Sequence, residues 1–191
     1  MICAAACTAA TLAAFLPPAA AHAAGGRYVL DGGTRQERRV VVDALNASTF
    51  DWDEVDATVE IHVVRGLDSY SSRGEIWLDA DLLDAGTFAW GVVQHEYAHQ
   101  VDYLRFDDAI RARFLQLLGA SEWCYGAVPA LDHAAYGCER FASTLAWAYW
   151  QSPENCMKPT SPGDEAAAVS PRRFRDELDA ALARSVRKAR R

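Results

Sequence analysis

The period of hydrophobic and polar positions changes several times along the chain, and each change marks an element. Residues 34–46 (TRQERRVVVDALN) place Val41, Val42 and Leu45 on one side and predict a helix. Residues 57–65 (ATVEIHVVR) alternate and are β-branched, which predicts a strand with Val59, Ile61 and Val63 facing a core and Glu60 and His62 opposite. The Asp-rich stretch 48–56 reads as turn, and 66–74, with serines between two glycines, reads as loop. A second short strand is expected at 75–78 (EIWL).

From Gly86 to Arg105 the helical period returns, with Val92, Val93, Val101 and Leu104 as packing residues. Asp107 or Asp108 caps the next helix, which stops at Gly119. A Gly- and Pro-containing loop over 125–132 leads into a helix from about 134 to 150. Residues 152–170 contain prolines and read as loop or linker. The last helix, 172–188, carries Phe174, Leu178, Leu182 and Val186 on one stripe. No internal repeat is visible. This order predicts an α+β domain: a short mixed or antiparallel sheet packed on the long helix, followed by further C-terminal helices.

Length and composition narrow this picture. A chain of 191 residues, 51% apolar and with six tryptophans, suits one globular domain with a real core. The net charge of -7 is uneven: residues 171–191 carry +5 and the remainder -12. An acidic body excludes nucleic acid as the main partner, because neutralising phosphates needs a basic surface; the basic end reads as a solvated helix terminus. Residues 1–24 are Ala-rich, uncharged and end in Ala21-His22-Ala23, the pattern of a secretory signal peptide, although no basic residue precedes the apolar run. Pro17-Pro18 argues against a plain helix there, and no apolar run is long enough for stable membrane insertion. The expected division is a signal peptide (1–24), the main domain (25–152), a linker (153–170) and a basic C-terminal helix (171–191), in a secreted monomer.

Export changes the cysteine arithmetic. Cys3 and Cys7 leave with the signal peptide, and Cys124, Cys138 and Cys156 remain, an odd number in an oxidising compartment. One disulfide and one free thiol follow, with Cys124–Cys138 the first pairing and Cys124–Cys156 the alternative.

The long helix carries His95-Glu96-Tyr97-Ala98-His99. Residues four apart share a helix face, so His95 and His99 can close on one metal ion. Glu96 lies roughly 100° further round, beside the metal, where it can hold and deprotonate a water. In this H-E-x-x-H motif, with short strands upstream, the chain resembles the zincin metallopeptidases over residues 57–150. That resemblance implies one Zn²⁺ per chain, a peptide or protein substrate, and an edge strand bordering the cleft at Gly74-Glu75-Ile76-Trp77-Leu78. The metzincin extension is absent, because its Gly and His positions hold Asp102 and Arg105.

A catalytic zinc site needs a third protein ligand. The gluzincin arrangement takes a Glu from a later helix, and Glu139, in Gly137-Cys138-Glu139-Arg140-Phe141-Ala142-Ser143, fits that role; the Glu-x-Phe-Ala run is similar to small secreted zincin-like proteins. His133, Asp132 and Glu122 compete, although Asp132 also reads as a helix N-cap. Gluzincins commonly place Asp four residues after the ligand Glu to support a motif histidine, whereas this chain has Ser143. Asp102 is a candidate to accept a hydrogen bond from a ligand imidazole, and Tyr136, Tyr125 and His133 are candidates to steady an oxyanion. His62 reads as a solvent-side strand residue. The resemblance therefore implies a secreted zinc metallopeptidase, most simply an endopeptidase, with Glu96 as general base and His95, His99 and Glu139 as ligands. Two alternatives stand beside it: a zinc-binding adhesion, sensing or inhibitory module, and an amidase acting on non-peptide material.

Overall fold

The computed structural model describes residues 21–22, 26–124 and 131–189, with side chains undescribed at 21–22 and 186–189. The expected signal peptide falls almost wholly outside these residues, as do Tyr125 and the side chain of Val186.

Strands β1 (Ala21–His22), β2 (Arg27–Gly32), β3 (Val59–Val64), β4 (Tyr70–Ser72) and β5 (Glu75–Asp79) form one mixed sheet in the order β1-β2-β3-β5-β4. The β2–β3 and β3–β5 pairs are parallel, and the outer pairs are antiparallel. Val59, Ile61 and Val63 are buried as their alternation requires. Strand β2 has no such alternation, since Tyr28 alone is fully buried in it, and the hydrophobic pattern does not reveal it.

Strand β4 corrects the expected edge. Residues 70–72 lie in the segment read as a loop, yet they pair with β5 across Arg73-Gly74, where Gly74 takes φ +86°. The strand at 75–79 is therefore internal, and β4 is the edge. Tyr-Ser-Ser lacks apolar alternation because β4 is held by polar contacts. The amide of the buried Gln100 accepts from Gly74 N at 2.7 Å and donates to Ser72 O at 2.8 Å and Glu75 O at 3.2 Å.

Six α-helices occur among the described residues: α1 (Arg35–Ala47), α2 (Ala80–Leu83), α3 (Phe88–Arg105), α4 (Asp108–Leu117), α5 (Gly137–Tyr149) and α6 (Pro171–Ala189). A capping box starts α1: Thr34 Oγ1 accepts from Glu37 N at 3.2 Å, and Glu37 accepts from Thr34 N at 2.6 Å. Asp107 caps α4 through Ile110 N at 3.0 Å, and Gly119 ends that helix at φ +63°. Helix α3 is buried on nearly every side, between α1, α5 and the β4–β5 hairpin. The domain is thus a mixed α+β fold built around the helix that carries the motif.

The segment read as a linker packs back onto α5 through a short 3₁₀ turn, Glu165–Ala167, with Asn155, Ala166 and Val169 buried. Helix α6 likewise joins the main core, burying Phe174, Leu178, Ala181 and Leu182. Prolines there shape a packed loop.

Gly91 marks where this segment crosses α3. A Cβ at that position would lie 2.6 Å from both Asn155 Oδ1 and Cys156 Sγ. Asn155 cannot give way easily, because its amide donates to Ala146 O at 3.0 Å and Trp150 O at 2.7 Å. Gly91→Ala gains about 1 kcal/mol of helix propensity but meets about 1–3 kcal/mol of overpacking. A net loss of stability is expected, read as a lower midpoint of thermal unfolding; a raised midpoint contradicts this packing.

Candidate metal centre

Helix α3 brings His95 and His99 to one face, and the first turn of α5 brings Glu139 against them. The N-terminus of α5 is held firmly. Gly137 N donates to Glu122 O at 2.8 Å and Cys138 N to Trp123 O at 2.7 Å, satisfying two of its orphan donors. A disulfide joins Cys124 to Cys138, the residue before Glu139, in the first of the two pairings considered. Cys156 is free, and burial raises its thiol pKa.

All three side chains are buried, and one donor atom from each converges. His95 Nε2 is 3.2 Å from His99 Nε2 and 3.2 Å from Glu139 Oε2, while His99 Nε2 is 3.4 Å from the same oxygen. Tetrahedral ligands at about 2.0–2.1 Å from a metal stand roughly 3.3–3.4 Å apart. The triangle thus has the edge lengths of three ligands around one cation. Three electron-pair donors this close also need something positive between them. Burial raises the Glu139 pKa, but hydrogen bonds and charge from His95 and His99 outweigh it and hold the carboxyl well below the usual range. Burial lowers the His95 pKa, yet the Glu139 hydrogen bond and the surrounding carboxylates leave it raised.

Glu96 is buried beside this triangle and outside it. Its Oε2 lies 2.8 Å from Ser71 Oγ on β4, and the same hydroxyl is 2.8 Å from Glu96 O. A cleft of about 380 Å³ opens over the group, lined on one side by Ser69, Tyr70 and Ser71 of the edge strand and its approach. Tyr103 also lines it, stacked against His99 with ring centres 6.1 Å apart, its hydroxyl donating to Ser71 O at 3.2 Å. Burial and the acids around it raise the Tyr103 pKa.

The other sequence candidates divide. His133, on the 3₁₀ turn His133–Ala135, does reach the centre, with Nε2 3.2 Å from Glu139 Oε2. Arg140 fastens that turn to α5 by donating to Ala134 O at 2.6 Å. Ser143 Oγ lies 2.9 Å from His95 Nδ1, so serine makes the contact for which the resemblance expects aspartate. Asp102 is buried and engaged elsewhere, accepting from Arg111 Nε at 2.8 Å and Trp123 Nε1 at 3.0 Å. Tyr136 caps α5 instead of lining the cleft, and its hydroxyl accepts from Leu131 N at 3.1 Å. Asp132 makes no side-chain cap bond to the following turn. Glu122 contributes its backbone oxygen to the start of α5. His62 lies on the outer face of the sheet, stacked on Trp77 with ring centres 5.1 Å apart, and Glu60 and Glu75 are within 4.8 Å.

Three residues at the site were not anticipated. Tyr103 follows His99 by four positions on the same helix face, so helical spacing alone could have flagged it. Ser71, and Glu165 with its Oε1 2.7 Å from His133 Nδ1, come from segments with no local signal. Comparison of the chain with protein-family models, curated proteins and solved structures returned no match. No helix among the described residues is long and apolar enough to cross a membrane.

Proposed function

We propose that the chain is an exported zinc-dependent peptidase, in which His95, His99 and Glu139 hold the ion and Glu96 serves as general base. The observation carrying this reading is the triangle of donor atoms 3.2, 3.2 and 3.4 Å apart with a separate buried carboxylate beside it. When bound, Zn²⁺ lowers the pKa of a water from 15.7 toward about 7 and polarises a carbonyl. Glu96, steadied by Ser71, takes the water's proton and delivers it to the leaving amine. Tyr103 and His133 both line the cleft next to the ligands. Tyr103 commits its only proton to Ser71 O, whereas the hydrogen bond to Glu165 and the acids around it raise the His133 pKa, and the protonated ring can offer Nε2–H to a developing oxyanion. The edge strand β4 bordering the cleft supports an extended peptide as substrate, because its outer edge can pair with a further strand.

Metal stoichiometry on the wild type and Glu139→Gln, followed by cleavage assays on a diverse peptide library, tests this. One zinc per chain and peptide cleavage are expected for the wild type. Glu139→Gln is expected to weaken zinc binding by more than the 10–100-fold that loss of an outer partner costs. Unchanged affinity in that variant moves the third ligand to His133 or Asp132. A wild type that holds zinc but cleaves no peptide overturns the peptidase assignment and favours a binding module or a non-peptide amidase.

A further inference from the structure

Glu165 sits in the 3₁₀ turn at Glu165–Ala167, 22 residues beyond Ser143, and its two carboxylate oxygens meet two different groups. Oε1 lies 2.7 Å from His133 Nδ1. Oε2 meets the hydroxyl of Ser143, and that hydroxyl lies 2.9 Å from His95 Nδ1. One carboxylate therefore reaches a motif histidine through a serine, and the cleft histidine directly.

The direction of these bonds follows from counting protons. Ser143 has one hydroxyl proton and three neighbours able to accept it, the Glu165 carboxylate, His95 Nδ1 at 2.9 Å and Met157 Sδ at 3.3 Å. The charged carboxylate is the strongest of these acceptors, since thioether sulfur accepts only weakly and a neutral imidazole nitrogen carries no charge. The hydroxyl thus donates to Glu165, and its oxygen lone pair accepts the Nδ1 proton of His95. That places a proton on His95 Nδ1 and makes Nε2, turned toward His99 and Glu139, the nitrogen that can ligate a metal. Glu165 likewise accepts from His133 Nδ1, which sets Nε2 of that ring toward Glu139. No comparable support reaches His99, whose buried Nδ1 has no hydrogen-bond partner among the described residues.

We propose that Glu165 is a positioning residue of the metal centre: through Ser143 it selects the ligating tautomer of His95, and directly it orients His133 over Glu139. The relay does the work of the aspartate whose place Ser143 occupies. The packing of the 151–170 segment onto α5 is what brings Glu165 within reach of both groups. The inference rests on reading His95, His99 and Glu139 as metal ligands, and is independent of the substrate.

Glu165→Gln tests it. An amide cannot accept at both ends, so one of the two bonds must break or reverse while side-chain volume is kept, and a reversed bond frees the Ser143 proton for His95 Nδ1. Three measurements on the full chain separate positioning from bulk stability: zinc affinity by chelator competition, ¹⁵N NMR of the histidine rings of the metal-free protein at pH 8, and the thermal midpoint. Expected are zinc binding weakened 10–100-fold, a shifted Nδ1–H signal at His95 or His133, and a midpoint within a few degrees of wild type. Ser143→Ala should disturb His95 and spare His133, and it keeps the test decisive if Glu165→Gln does not fold. Zinc affinity within threefold of wild type together with unchanged Nδ1–H signals overturns the proposal. A wild type that binds no zinc instead overturns the metal reading, and the tautomers of the metal-free protein still decide whether the relay exists.

Discussion

Glu96→Gln is expected to keep one zinc per chain and to lower kcat on a cleaved peptide by about 10³-fold, within the 10²–10⁴ that general acid–base groups contribute. Such a loss corresponds to about 4 kcal/mol of transition-state stabilisation. The retention of metal follows from geometry, because the converging donor atoms belong to His95, His99 and Glu139 and none belongs to Glu96. Glutamine has nearly the same shape, and its amide oxygen can still accept the Ser71 proton that now reaches Glu96 Oε2 at 2.8 Å. It cannot take a proton from water. The loss should fall on kcat with KM little changed, since the group acts in the transition state. Metal analysis alongside initial rates checks both halves. Turnover equal to wild type removes Glu96 from the mechanism, and loss of zinc with activity makes it a ligand.

The elements that were legible in the sequence carry their own local signal. Helix α1 shows its apolar stripe of Val41, Val42 and Leu45, α4 shows Asp107 before and Gly119 after, and β3 alternates cleanly. The motif needs only the helical repeat to bring His95 and His99 together. Glu139 was readable because a carboxylate near the start of an apolar helix is otherwise hard to explain. What escaped depends on partners distant in sequence. Strand β4 has no hydrophobic pattern, and it exists because Gln100, Tyr103 and Glu96 on α3 meet its polar groups. Glu165 lies among prolines and serines, and its importance appears only when that segment folds onto Ser143 and His133. Asp102 illustrates the opposite error. Its helical spacing from His99 is suitable, but Arg111 and Trp123 occupy its oxygens.

The same non-local packing predicts that Phe141→Ala will damage both the fold and the site. Phe141 follows Glu139 by two residues on α5 and is fully buried. Its ring lies 4.8 Å from that of Phe106, 5.4 Å from Phe114, 5.6 Å from Phe174 and 6.2 Å from Trp123, centre to centre. It thus joins α5 to the end of α3, to α4, to α6 and to the segment disulfide-linked to Cys138. Truncating such a residue costs about 3–5 kcal/mol, through lost burial and a cavity that its neighbours cannot close. A domain of this size typically has about 5–15 kcal/mol in total, so the thermal midpoint should fall by on the order of 10 °C. Zinc affinity, measured well below that midpoint, should fall as well, because the turn holding Glu139 loses its nearest core anchor while His95 and His99 stay on α3. Phe141→Leu, which refills most of the volume, should recover most of both losses. A midpoint within 2 °C of wild type would show that the aromatic cluster does not hold α5. A lowered midpoint with unchanged zinc affinity would show that the disulfide and the 122–123 carbonyls alone set the position of Glu139.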